Sequence, residues 1–239
     1  MILTQLLFIF ICSFSAYAGR PLITDDSEVI GKRNLQLETW LFADKRSLQH
    51  WVLPTAGFGD FEANLSAVHG TTWNGPKART YSASGPIIQG KYRLNEANSW
   101  DEPGFAISGG WIAPYGTGVF KSQTWDYFFY GAMTSELIPE VCLLHLNIGQ
   151  QTRRQLNNSK PIFLWGVALE YLTFEKTFTF VETSNGDVFA LNPGIAAQTG
   201  LRYDLTDTFQ IDGTVGTGLS GNPKLPYWVT VGIKTLTDF

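Results

Sequence analysis

Tyr227-Trp228-Val229-Thr230-Val231-Gly232-Ile233-Lys234-Thr235-Leu236-Thr237-Asp238-Phe239 closes the chain, and its alternation decides the fold. Tyr227, Val229, Val231 and Ile233 make one apolar row, with Thr230, Gly232 and Lys234 between them. The row runs on through Thr235 and Thr237 to Phe239. Successive side chains of a strand point to opposite faces, so such alternation marks a strand with one apolar and one polar face. The pattern recurs upstream. Phe163, Trp165, Val167, Leu169 and Tyr171 oppose Gly166, Ala168 and Glu170; Ile195, Ala197, Thr199, Leu201 and Tyr203 oppose Gln198, Gly200 and Arg202. Phe209, Ile211, Gly213 and Val215 oppose Gln210, Asp212 and Thr214. Further back, Phe61, Ala63, Leu65 and Ala67 oppose Glu62, Asn64 and Ser66, while Ile88, Gly90, Tyr92 and Leu94 oppose Gln89, Lys91 and Arg93.

No long window clusters Ala, Leu, Glu and Lys at helical spacing, so the chain after its N-terminus reads as all-β. The spacing predicts about twelve strands of roughly nine to eleven residues, the length that crosses a bilayer at a tilt. They begin near Asn34, Leu48, Gly59, Gly85, Gly104, Thr124, Val141, Ile162, Lys176, Pro193, Asp207 and Tyr227. Ten to fourteen strands fit the same pattern. The second is the weakest, because Pro54 cannot donate to a ladder. The predicted architecture is a transmembrane antiparallel up-and-down β-barrel over 34–239.

Composition agrees with one lipid-facing and one watery face. The 239 residues are 44% hydrophobic, 14% aromatic and only 16% charged, with 24 glycines. Mean hydropathy is −0.03, too low for a bundle of membrane helices. A formal net charge of −4 leaves no basic surface for nucleic acid. The one continuous apolar run is Leu6 to Phe14, followed by Ala16-Tyr17-Ala18. It is too short for a membrane helix, and the small residues fit a signal-peptidase site, so a signal peptide over 1–18 is expected, cut after Ala18. No Lys or Arg precedes the apolar run, which departs from the usual pattern. The mature chain then keeps Cys142 as its single cysteine, which excludes an intramolecular disulfide.

Outer-membrane barrels have short periplasmic turns and long external loops. Gly57 to Gly59, Thr173 to Glu175 and Asp204 to Thr206 read as short connections on one side. Gly70 to Ser84, Tyr115 to Gln123, Gln151 to Pro161, Asn185 to Asn192 and Gly218 to Pro226 read as long ones on the other. Asn95 to Pro103 is the exception, a long connection on the short side. Trp111, Trp125, Tyr127, Phe129, Trp165, Tyr171, Tyr203, Phe209, Tyr227 and Phe239 lie on the apolar rows, many near strand ends where a barrel carries aromatic girdles. A soluble β-sandwich burying these rows is the competing architecture. The aromatic terminus at Phe239 favours the barrel; it resembles the signal by which bacterial outer-membrane barrels are recognised for assembly.

Gly19-Arg20-Pro21-Leu22-Ile23-Thr24-Asp25-Asp26 precedes the first strand, which opens with Asn34-Leu35-Gln36-Leu37-Glu38-Thr39. These phrases resemble the outer-membrane family named for the meta-pathway of phenol degradation, whose mature chains begin with a similar Arg-Pro-Leu-x-Thr-Asp-Asp phrase. Gln89-Gly90-Lys91-Tyr92-Arg93-Leu94, Gly200-Leu201-Arg202-Tyr203 with Leu205-Thr206-Asp207, and Val215-Gly216 with Gly218-Leu219-Ser220-Gly221 resemble it too. The turn at Gly57 to Asp60 is shorter than that family's, and the loop around Trp73 longer. The resemblance implies an outer-membrane channel or transporter for passive passage of small, aromatic or apolar solutes.

Solute selectivity in a barrel resides on the polar inward row. Its candidates are Glu38, Glu62, Lys91, Arg93, His145, Asn147, Glu170, Gln198, Arg202, Asp212 and Lys234, with Lys91, Arg93, Glu170, Gln198 and Arg202 as the solute-binding set. The plainer alternative is that these side chains pair with one another and fill a narrow lumen. Residues 19–33 form a periplasmic segment that either lies loose or tucks into the lumen as a plug. Asp25, Asp26 and Glu28 lack the spacing of a calcium loop, so neither a metal nor any other cofactor is expected. The three histidines, His50, His69 and His145, stand in no catalytic signature, and no Gly-x-Ser-x-Gly elbow exists, so the chain is not read as an enzyme. Gln151-Thr152-Arg153-Arg154-Gln155 is the most basic patch, suited to anionic lipopolysaccharide as well as to a plain solvated loop. The expected partners are thus outer-membrane lipid and lipopolysaccharide, the barrel-assembly machinery at Phe239, and a small solute. A non-transporting structural or surface-interaction barrel and a lipid-acting barrel enzyme remain as alternatives.

Overall fold

The computed structural model describes residues 22–73, 79–155, 158–185, 194–221 and 224–238, with side chains at 153–160 left undescribed. The expected signal peptide, its cleavage point, Phe239 and the side chains of Arg153 and Arg154 lie outside that description.

The chain forms β1 (Asn34–Asp44), β2 (Ser47–Gly57), β3 (Phe61–Trp73), β4 (Arg79–Asn95), β5 (Gly104–Ile112), the two-residue β6 (Gly116–Thr117) and β7 (Asp126–Ile138). There follow β8 (Cys142–Gln155), β9 (Asn158–Phe174), β10 (Thr177–Ser184), β11 (Ala196–Thr206), β12 (Phe209–Gly218) and β13 (Trp228–Asp238). Each long strand pairs antiparallel with its sequence neighbour. The first and last also pair, Asn34 opposite Asp238 through Asp44 opposite Trp228, and this seam closes the sheet. Twelve long strands therefore make a closed up-and-down barrel, and no edge is left open. β6 lies across the β5–β7 connection and adds to the upper part of β4.

Alternation places the side chains as a membrane barrel requires. Leu35, Leu37, Leu65, Ile107, Phe129, Ile148, Val181, Leu201, Val215 and Val231 point outward and are exposed, an apolar wall for lipid. Gln36, Glu38, Glu62, Asn64, Gln89, Lys91, His145, Glu170, Glu182, Arg202, Asp212 and Lys234 point inward and are buried. Pro54 sits in β2 opposite Leu37, and the β2–β3 pairing is interrupted at Leu53 and Pro54, where the missing donor falls.

Strand starts at Asn34 and Gly104 match the expected ones, and the connection 96–103 is indeed long on the side of both termini. The far side differs from expectation. β1 and β2 join through Lys45 and Arg46 alone, with Asp44 Oδ1 accepting from the Arg46 and Ser47 amides at 2.6 Å each. Most of the Gly70–Ser84 and Gln151–Pro161 stretches is strand: β3 and β4 continue to Trp73 and from Arg79, β8 and β9 to Gln155 and from Asn158. A register shift at Ser66/Val68 against β4 explains the first case. Above it Ser82 and Ser84 face inward; below it Ile87, Gln89 and Lys91 do, so the bulge reverses the phase of β4 and hides its upper half from a period-two reading.

Candidate functional site

The lumen has two layers. Toward the far end it is lined by aromatic rings. Trp40 and Trp51, opposite each other on β1 and β2, stack at 5.4 Å and 4°. Phe42 lies over Trp228 at 6.2 Å, and Phe128 over Tyr130 at 6.4 Å. Val68, Ile87 and Ile112 complete the cluster, and Phe120 reaches it from a single 3-10 turn, Gly118–Phe120, in the β5–β7 connection. That inward aromatic layer adds to the aromatic rows expected to face lipid. Trp111, Tyr127, Phe129, Tyr171 and Tyr203 face outward and are exposed, as expected, while a second set of rings lines the lumen.

Toward the end with both termini the lumen is charged, and the segment 22–31 lies within it, with Lys32 and Arg33 exposed before β1. Thr24, Asp26, Ser27, Val29 and Ile30 are all buried. A chain threaded through a barrel needs partners for its own amides, and the wall supplies them. Glu182 accepts from the Ile23 amide at 2.9 Å, from the Thr24 amide, and from Thr24 Oγ1 at 2.6 Å. Asn147 clamps Asp25 as a strand neighbour would: its Oδ1 accepts from the Asp25 amide at 2.6 Å and its Nδ2 donates to the Asp25 carbonyl at 2.8 Å. The Ser27 amide donates to Thr134 Oγ1 at 2.9 Å and the Ile30 amide to Glu62 Oε2 at 3.0 Å. Gly166 leaves room for the segment, since a Cβ there would meet Thr24 Oγ1. Of the two placements considered for this segment, the lumenal one is observed.

Charge fixes it further. Lys91 Nζ, 3% exposed, lies 2.9 Å from Asp25 Oδ1 and 2.7 Å from Asp26 Oδ1. Tyr130 donates its hydroxyl to Asp25 Oδ2 at 2.7 Å and accepts from Gln89 Nε2 at 2.7 Å. At the rim Arg93 holds Glu28 at 3.0 Å, Asp60 at 2.8 Å and Glu96 at 2.9 Å. The acidic run Asp25, Asp26 and Glu28 is thus answered by wall cations.

The solute-binding candidates divide accordingly. Lys91 and Arg93 grip the segment directly. Gln198 supports it at one remove, donating to Glu182 Oε2 at 2.8 Å while accepting from Trp228 Nε1 at 3.3 Å. Glu170 and Arg202 pair with each other, Arg202 Nη2 to Glu170 Oε1 at 2.7 Å, with the guanidinium 4.1 Å above the Phe178 ring. His145 Nε2 lies 3.8 Å from Glu170 Oε2, and its Nδ1 is 3.0 Å from Thr134 Oγ1. All five face the lumen, and side chains paired across it dominate. Glu182, Tyr130, Gln89 and Thr134 were missed by sequence reasoning; Glu182 stands in Thr177–Ser184, whose alternation of Phe178 and Phe180 with Glu182 on one face gives no separate polar row. Among the described residues the hydrogen-bond partners of His69 and His145 are His50 and Thr134, with Glu170 the carboxylate beside His145.

No family model matches the chain, and no curated protein matches it. Solved structures do. An outer-membrane channel from Pseudomonas putida F1 superposes with a TM-score of 0.69 at 10% identity, over 89% of this chain and 98% of that one. The fold is that of outer-membrane channels. The KdgM porin in complex with disordered oligogalacturonate follows at a TM-score of 0.57 and 12% identity, over 84% of this chain and 98% of that one. The NanC porin gives a TM-score of 0.53 at 9% identity, over 86% of this chain and 99% of that one. At such identities the likeness concerns the fold, and the resemblance to the phenol-degradation family rests on its short phrases alone.

Proposed function

We propose that the protein is a passive outer-membrane channel for small solutes, with the termini on the periplasmic side and the segment 22–31 narrowing its own lumen. The observation that carries this reading is a charged inner layer beneath an inner aromatic one, set against a largely apolar outer wall on a closed barrel. Polar side chains inside a membrane barrel earn their place by meeting water and solute. The aromatic layer at Trp40, Trp51, Phe128 and Trp228 followed by the charged layer at Lys91 and Arg202 suits a solute with a ring and a polar or anionic group. That solute class agrees with the aromatic compounds implied by the sequence resemblance.

Export through a signal peptide, assembly through the strand ending at Phe239, and contact of the external β8–β9 hairpin with lipopolysaccharide belong to the same proposal. A second reading, a non-transporting plugged barrel, draws on one observation: Lys91 is already occupied by Asp25 and Asp26. Flux separates the two. Purified barrel in liposomes should pass a phenolic carboxylate faster than a sugar of equal size, and Trp51→Ala should reduce that preference. If neither the native chain nor one lacking 22–31 passes any solute, the channel reading falls and the plugged barrel stands.

A further inference from the structure

His50 and His69 lie outside the lumen. They face each other across β2 and β3 on the outer wall, directly paired in register, below the Lys45–Arg46 turn. His50 Nδ1 stands 3.0 Å from His69 Nε2, with the rings at 87°. His69 is exposed and His50 half-buried. The tautomer of His50 follows from its surroundings. Thr39 Oγ1 donates its single proton to the Trp51 carbonyl at 2.9 Å. It must therefore accept from His50 Nε2, 2.7 Å away. The proton of neutral His50 is thus on Nε2, and its Nδ1 lone pair is aimed at His69. A ring whose far nitrogen is held by a hydrogen bond while the near one presents a lone pair is the arrangement found behind metal-bound histidines.

We propose that His50 Nδ1 and His69 Nε2 form a two-nitrogen chelate for a divalent transition metal of the copper(II) and nickel(II) class. The metal enters when the His69 proton moves from Nε2 to Nδ1 and the exposed His69 ring turns so that the two lone pairs converge on it. With metal–nitrogen bonds of about 2.1 Å, the 3.0 Å separation gives a bite angle of about 90°. A tetrahedral zinc site would need about 3.4 Å between the nitrogens. The right angle suits the square-planar or tetragonal geometry of copper(II) and nickel(II), and copper(II) binds nitrogen sites most tightly of the first-row divalent ions. Water fills the remaining positions, because among the described residues no third His, Cys, Asp or Glu joins the pair in a metal-binding group.

The test is copper(II) titration of the folded barrel, free of any histidine tag, followed by electron paramagnetic resonance. One copper per barrel is expected, with a signal from two imidazole nitrogens, and nickel(II) should compete better than zinc(II). His50→Gln and His69→Gln should each abolish the two-nitrogen signal while leaving the barrel's heat-modifiable migration intact. Thr39→Val, which removes the orienting acceptor together with its bond to the Trp51 carbonyl, should weaken binding by about 10- to 100-fold. His145→Gln, in the lumen, should leave the two-nitrogen signal in place. Absence of stoichiometric binding, or a two-nitrogen signal that survives both His50→Gln and His69→Gln, overturns the proposal.

Discussion

Replacing Lys91 with methionine should unfasten the lumenal segment while leaving the barrel closed. The substitution keeps most of the stem volume and removes the one ammonium that lies within 2.9 Å of both Asp25 and Asp26. Removing one partner of a buried ion pair costs about 3–5 kcal/mol, because the remaining charge stays desolvated. Asp26 is 1% exposed but Asp25 is 23% exposed and keeps its Tyr130 and Asn147 contacts, so the lower end applies. About 3 kcal/mol shifts the docked-to-undocked ratio roughly 100-fold. Single-channel recording in planar bilayers should show the open fraction rise by that order, and amide exchange at 23–30 should lose protection in proportion. The outer wall is untouched, so the denaturant midpoint of the barrel should move little. The triple change Lys91→Met with Asp25→Asn and Asp26→Asn should restore much of the docking, since no uncompensated charge is then buried. If Lys91→Met leaves both conductance and exchange as they were, the ion pairs do not hold the segment and the reasoning fails.

Glu182→Ala leaves the Ile23 and Thr24 amides, Thr24 Oγ1 and Gln198 Nε2 without their acceptor, at about 1–3 kcal/mol per stranded group. Exchange should rise at 23–24 first. Gly166→Val puts a side chain where Thr24 Oγ1 sits and should expel the segment by bulk, so that its conductance matches Lys91→Met although no charge has changed. Val231→Arg, on the outer wall, should lower barrel stability in lipid by about 2–4 kcal/mol, read from the urea midpoint in vesicles. Arg202→Met should cost more stability than the double change Arg202→Met with Glu170→Gln, which buries no lone charge.

The strands were legible because a barrel imposes one rule everywhere: lipid outside, water and polar groups inside. The rule weakens where that contrast ends. Gln151-Thr152 and the residues after them continue β8 with Gln151 buried, but every position of the run is polar, so no apolar–polar alternation marks it and a run that reads as a loop is strand. The run Tyr127-Phe128-Phe129-Tyr130 is aromatic on both faces; Tyr127 and Phe129 meet lipid while Phe128 and Tyr130 line the lumen, and hydrophobicity alone cannot divide them. The inward direction of Lys91, Glu170, Gln198 and Arg202 followed directly from parity. Their partners did not, because Lys91 and Asp25 are separated by 66 residues and no local signal joins them. The acidic run at Asp25, Asp26 and Glu28 carried half of the information, and the barrel's closure supplies the other half.

The segment 22–33 is covalently continuous with β1, the strand that forms the closing seam with β13. In binding terms it is a tethered ligand of its own lumen. Once undocked, a flexible stretch of this length spans about 20 Å root mean square, which keeps it within reach of Lys91 and Glu182. Linkers of that reach maintain effective concentrations in the millimolar range. A solute that displaces the segment therefore competes with a rival that dilution cannot remove. In a channel working as proposed, scarce solutes of weak affinity would lose that contest, and the occupancy of the lumen would follow solute concentration rather than how many copies of the barrel the membrane holds.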